Sequence, residues 1–209
     1  MPRNKGQSKQ MRAESRTKII ATAQHLFAGK GFEGCSVSDI ARQSGMSQGN
    51  IYWYFSSKEE ILKTVLIEGF QVLGTALAEA AARPGTGFEK LEAFLDSFDG
   101  LMRDEGGEEF MSIVTALIGR GGADKFAELG ISTAQFGEDY HRSLNAVIAQ
   151  CQEEGTINPD TDPGLLTAFF FSFINGMVMM YPEMWRQFPS GLVRNAVYRL
   201  LGIEEGGKE

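Results

Sequence analysis

Cysteine and histidine are scarce: the 209 residues hold two of each. Cys35 and Cys151 stand far apart and form no CxxC pair. That excludes a disulfide framework and a cysteine-based zinc site, and it points to a reducing compartment. The histidines are His25 and His141, and Glu138 with His141 makes a single E-x-x-H pair. A di-iron bundle needs two such pairs, and the position three before His25 is Thr22. No HExxH or P-loop occurs, and GKGFEG (29–34) and GMSQG (45–49), which have GxGxxG and GxSxG spacing, follow no strand pattern that would make them a dinucleotide fingerprint or a nucleophile elbow. Catalysis, a cofactor and a metal are therefore not expected. The most apolar run, AFFFSFINGMVMMY (168–181), is too short to span a bilayer. The N-terminus MPRNKGQSKQMRAESR is basic but has no apolar stretch behind it, so it is no signal peptide. The expectation is a cytoplasmic protein without a membrane partner.

Negative charge is in excess overall, with a net of −7, but it is unevenly placed. Residues 1–58 carry nine Lys/Arg and three Asp/Glu; the remainder carries 11 basic and 24 acidic residues. A basic binding module joined to an acidic body produces this asymmetry.

Period-2 alternation is missing, whereas helical spacing is common. Ile19, Ile20, Ala23, Leu26 and Phe27 form one apolar stripe, which stops at GKG, where Gly29 or Gly31 can supply a left-handed cap. Ser36 with Asp39 is a weaker form of the capping box, and Ser57 with Glu60 a full one opening a helix over 57–82. Further helical segments follow to residue 201, one of them starting at Thr161 or Asp162 with Pro163 in its first turn. The fold class is all-α with about nine helices. The expected organisation is a head over 13–60 continuing into the helix 57–82, and a body over 83–203. Flexible segments are expected at 1–12 and 204–209.

Residues 36–55, SVSDIARQSGMSQGNIYWYF, carry the sharpest signal. Two helices crossing steeply need a small contact residue, a turn residue tolerant of positive φ and an apolar anchor. Ala41, Gly45 and Ile51 supply these in order. Val37, Ile40, Met46 and Phe55 complete an inward face. The outward face of the second helix is then Ser47, Gln48, Gly49, Asn50, Tyr52 and Trp53, without an acid. Such a face suits the major groove of double-stranded DNA. Gln48 or Asn50 can pair with adenine and Tyr52 can pack on a thymine methyl. Trp53 and Lys58 can donate to phosphates, with Ser36 at a helix N-terminus as a further phosphate ligand. Tyr54 is open between core and surface.

These residues, GxSxGNIYWYFSSKEEIL after HLFAGKGFEGCSVSDIA, resemble the N-terminal domain of the TetR family of bacterial transcriptional regulators over about residues 13–60. The resemblance implies an all-α homodimer that binds a palindromic operator and releases it when a small molecule enters the C-terminal domain. It implies base contacts from Gln48, Gly49 and Tyr52, and phosphate contacts from Ser36, Trp53, Tyr54 and Lys58. Tyr54 stands where a His is often found, and Ser38 where some members read a base.

In the body, residues 168–181 are apolar nearly all round, so one side must meet something beyond the inward face. The resemblance implies a two-fold interface there, for which Phe170, Ile174, Gly176, Met180, Val193 and Val197 are the candidates. Soft and aromatic side chains suggest a largely apolar ligand lined by Phe94, Phe98, Met102, Met111, Phe136, Phe169, Phe173 and Met177, with Phe126 nearby. Tyr140 and His141 are its candidate polar handles. Cys35, ahead of the DNA-reading helices, stays open as a redox site.

Overall fold

The computed structural model describes residues 5–121, 123–180 and 187–203. Among them are ten helices and no strand: α1 Lys5–Lys30, α2 Val37–Ser44, α3 Gln48–Tyr54, α4 Lys58–Ala82, α5 Gly87–Arg103, α6 Glu105–Gly119, α7 Ala123–Glu128, α8 Thr133–Glu153, α9 Pro163–Met180 and α10 Ser190–Leu201. The one beyond the nine or so expected is α7, a six-residue helix too short to show a period. The chain parts into two compact units, Met1–Gly69 with Glu109–Ile131, and Phe70–Glu108 with Ser132–Glu209.

In the first unit the apolar stripe of α1 is core: Ile19, Ile20, Ala23, Leu26 and Phe27 are all buried. Residues 5–12, expected to be a flexible arm, are helical and continue α1. The left-handed residue after α1 is Gly31, at φ +74°. Ile40 and Ala41 of α2, Ile51 and Phe55 at α3, and Ile61, Leu62, Val65 and Leu66 of α4 close this core. Each of the larger side chains, Val, Leu, Ile or Phe, contributes about 1.5–3 kcal/mol on burial. Val37 and Met46 are only half-buried, at its edge. By length and composition α4 would also suit a membrane, but its first half is spent on this core. The later part of α6 joins the same unit through Phe110, Ile113 and Val114. Gly69 lets the Phe110 ring approach so closely that an added Cβ would sit 2.3 Å from it.

In the second unit α5 packs on α8, α8 on α9, and α9 on α10. Thr86 and Glu89 form a complete capping box at the start of α5, and Asp162 accepts from the Leu165 N–H at 2.9 Å to start α9. Leu91, Phe94, Leu95, Phe98 and Met102 of α5 meet Leu144, Val147, Ile148 and Cys151 of α8 in the core. Arg194 of α10 binds Glu92 of α5 at 2.6 Å and also Asp96, and the Tyr198 hydroxyl donates to Glu92.

The phase of α9 corrects the sequence reading. Phe170 and Ile174, expected at a subunit interface, are buried in their own chain, with Phe170 edge-on to Phe94 at 5.9 Å. Val197 is likewise core and Val193 half-buried. Phe169, expected to line a pocket, is 47% exposed, and Leu165 and Met180 of the same helix are exposed too. Leu192 of α10 is also exposed, and Gly176 is half-buried with open space where a Cβ would go. The remaining pocket candidates scatter. Phe94, Phe98 and Met102 are core, Phe173 and Met177 half-buried, and Met111 and Phe126 belong to the first unit. The side chain of Phe136 lies outside the described residues. His141 stacks on Phe171 at 4.2 Å, and Tyr140 lies 5.5 Å from the same ring. Burial lowers the His141 pKa and raises that of Tyr140.

Candidate nucleic-acid interface

The site is built from α2, the turn after it and α3. Ser36 caps α2 with extended backbone, and the box with Asp39 is complete. The Asp39 N–H donates to Ser36 Oγ at 3.1 Å, and the Ser36 N–H donates to Asp39 Oδ2 at 3.1 Å. The Ser36 hydroxyl itself donates to Asp39 Oδ2 at 2.6 Å. These hydrogen bonds, from the hydroxyl first, hold the Asp39 carboxyl below the usual aspartate range. Helix α2 ends at Gly45, φ +69°, where the Met46 N–H reaches back to Ala41 O at 2.9 Å. A residue with a Cβ would be strained there. Ser47 then caps α3, accepting from the Asn50 N–H at 3.2 Å.

Ile51 and Phe55 point inward, at 0% and 3% exposure, and they fix the phase of α3. The opposite face is Gln48, Gly49, Asn50, Tyr52 and Trp53, all exposed. Tyr52 is 54% and Trp53 60% open to solvent, the two large aromatic side chains on the described surface of this unit. Tyr54 is half-buried, its ring edge-on to Trp53 at 4.7 Å. An added Cβ at Gly49 would meet only Ser47 Oγ, at 3.9 Å, so the fold itself does not demand glycine there.

Two residues read from the sequence as phosphate ligands are turned to other work. Lys58 Nζ donates to Phe32 O at 2.8 Å and to Cys35 O at 2.9 Å, over the Phe32 ring at 4.1 Å. It pins the loop that enters α2. The Ser36 hydroxyl is held by Asp39, as above. Ser38, by contrast, is exposed with no partner among the described residues. The opening of α4 also differs from expectation: the Glu60 N–H donates to Ser57 Oγ at 3.1 Å, but its carboxylate takes the N–H and hydroxyl of Ser56.

Arg12 is the residue that sequence reading missed. Its guanidinium lies over the Trp53 ring at 4.9 Å, 41 residues away in the chain, and Arg16 lies over Phe55 at 5.6 Å while pairing with Glu68 at 2.6 Å. Only its place in a basic N-terminus hinted at a role. Cys35 is 2% exposed and burial raises its pKa, with Asp39 adding to the effect, so its thiolate is disfavoured. Cys151 is pushed up to about 12, by burial and then by Glu154.

Residues 19–65 match the family model described as bacterial regulatory proteins, tetR family. This stretch is a TetR-type DNA-binding domain. The chain that carries it is a DNA-binding transcriptional regulator. It is 26% identical over 183 residues to the fatty acid metabolism regulator protein of Bacillus subtilis (strain 168), covering 88% of this chain and 91% of that one. Its fold is shared with the FadR regulator of Bacillus subtilis, solved in complex with stearoyl-CoA, at a TM-score of 0.70 and 22% identity over 90% of this chain and 99% of that one. It is shared too with the fatty acid degradation regulator FadR of Bacillus halodurans, at a TM-score of 0.70 and 21% identity over 93% and 96% of the two chains.

Proposed function

We propose that this protein is a TetR-family repressor that binds a palindromic operator as a homodimer in the cytoplasm and is released by a largely apolar acyl ligand. The observation that carries the DNA face is the acid-free outward side of α3, with Tyr52 and Trp53 exposed and Arg12 laid over Trp53. In this reading Gln48, Gly49, Asn50 and Tyr52 meet base edges, with Ser38 beside them. Trp53, Tyr54 and Arg12 meet phosphates. Ser36 and Lys58 act by holding α2 and its loop in place.

The exposed stripe of Leu165, Phe169 and Met180 on α9, with Leu192 on α10, supports the homodimer. Apolar side chains grouped in this way are left for a partner to cover. Two half-sites about 34 Å apart would bring both α3 helices to one side of the duplex. The ligand class rests on the fatty-acid regulators that the chain resembles and on the aromatic core of α5, α8 and α9. A long-chain acyl-CoA is the first compound to try.

Selection of bound DNA from a random pool tests the reading, with Tyr52→Ala in parallel. A palindrome is expected, bound about tenfold or more weakly by the variant, in keeping with about 1–3 kcal/mol per base contact. Stearoyl-CoA should then release the operator. A pool without a palindrome, or equal binding by the variant, would overturn the assignment of α3.

A further inference from the structure

Toward its N-terminus α1 runs past the core of its unit, and its inward positions change there from apolar to cationic. Ile19, Ala23 and Leu26 are core residues. Counted back from Ile19 at the same three-to-four spacing, the positions are Arg16, Arg12 and Lys9, and the sequence carries the spacing on to Lys5. We propose that this overhanging part of α1 is a second DNA-contacting element, with Lys9 and Arg12 on the phosphate backbone beside the groove that α3 enters, a contact that rests on α3 being the DNA-reading helix.

At about 100° per residue, Lys9, Arg12 and Arg16 fall within an arc of about 60°. Their contacts turn this stripe toward α3: the Arg12 guanidinium lies over the Trp53 ring at 4.9 Å, and that of Arg16 over Phe55 at 5.6 Å. Arg16 is spent on Glu68, at 2.6 Å. Lys9 and Arg12 are exposed, with no ion-pair partner among the described residues. The one acid between Lys5 and Lys18 is Glu14. It stands about 200° round the helix from Arg12 and accepts from Gln10 Nε2 at 3.2 Å, so it leaves the stripe uncompensated.

Like charges three and four residues apart on a helix repel one another and weaken it. A polyanion on that side reverses the sign. Trp53 stands on the outward face of α3, so the anion that meets α3 is also the one beside Arg12. Lys9 stands about 4.5 Å beyond Arg12 along the helix axis, at 1.5 Å per residue. Successive phosphates of one strand advance by about 3.4 Å of duplex axis, so the two cations suit neighbouring phosphates. A lysine there is a point charge without the planar fork that reads guanine, so it adds affinity for any sequence. Arg12 also holds the Trp53 ring, whereas Lys9 has no such second task. Lys9 therefore isolates the contact.

The test is the salt dependence of DNA binding by the full-length protein, over about 50 to 200 mM salt, on the selected operator and on a random-sequence duplex of equal length. At about 0.9 per phosphate contact, Lys9→Gln should flatten the operator slope by about 1.8 for two protomers, and Lys9→Gln with Arg12→Gln by about 3.6. Across that range the wild type then loses about tenfold more affinity than Lys9→Gln does. The random duplex should show the flattening too, Lys9→Arg should restore the slope, and the thermal midpoint of Lys9→Gln should match the wild type. A wild-type slope for Lys9→Gln on both duplexes, or a flattened slope that Lys9→Arg does not restore, would overturn the proposal. Tyr52→Ala, run alongside, keeps the two readings apart. Equal operator binding by Tyr52→Ala counts against α3, whereas weakened binding there with an unchanged slope for Lys9→Gln overturns the α1 contact alone.

Discussion

Replacing Lys58 with methionine keeps the aliphatic stem and removes the ammonium, which separates two roles that the sequence alone merges. The ammonium donates to Phe32 O and Cys35 O at 2.8 and 2.9 Å and lies 4.1 Å from the Phe32 ring centre. Losing one hydrogen bond from a charged donor costs about 1.5–3 kcal/mol, and an exposed cation–π contact adds about 0.5–1 kcal/mol. Lys58 is only half-buried, so water would take over part of the duty at both carbonyls. A loss of about 2–3 kcal/mol is expected, read as a lower urea midpoint with unchanged m-value. Operator binding should weaken because the loop into α2 loosens. Its salt dependence should nevertheless match the wild type, since no phosphate contact has been removed. A lysine on a phosphate in each half-site would instead flatten the slope by about 1.8, at about 0.9 per contact. A flattened slope with wild-type stability would refute the structural role.

The Asp39 carboxyl, lowered by its bonds to Ser36, makes a pH prediction. A group whose pKa is lowered on folding stabilises above its unfolded value and loses that contribution as pH falls toward the folded one. The thermal midpoints of wild type and Asp39→Asn should differ at pH 7 and converge below about pH 4, the ordinary aspartate range. A constant gap across that range would argue against it. The outward stripe makes another prediction: Phe169→Asp with Leu192→Asp should give a folded monomer in sedimentation and bind operator at least tenfold more weakly. A persisting dimer would place the interface elsewhere, since both side chains are already open to solvent in the single chain.

Much of this was legible in the sequence because a few residues fix a phase. Ile51 and Phe55 leave one way for α3 to face, so its outward residues follow. The stripe from Ile19 to Phe27 does the same for α1. Helix α9 offers no such contrast: with PGLLTAFFFSFINGMVMM apolar on every side, its period cannot say which ring faces in. Phe169 and Phe170 were exchanged for that reason. Lys58 failed differently, because a long flexible side chain reaches either a phosphate or a carbonyl from the same position, and only tertiary structure decides. Arg12 over Trp53 is a contact across 41 residues, invisible to any local pattern. The helical run from Lys5 has no apolar stripe to announce it.

The exposure of Trp53 has a practical side. The chain holds only two tryptophans, the other being Trp185. With Trp185 changed to phenylalanine, all indole fluorescence would originate on the recognition helix, under a guanidinium and open to water. The protein would then carry its own optical reporter. Its emission maximum and its quenching by iodide would follow occupancy by DNA directly, without any attached dye.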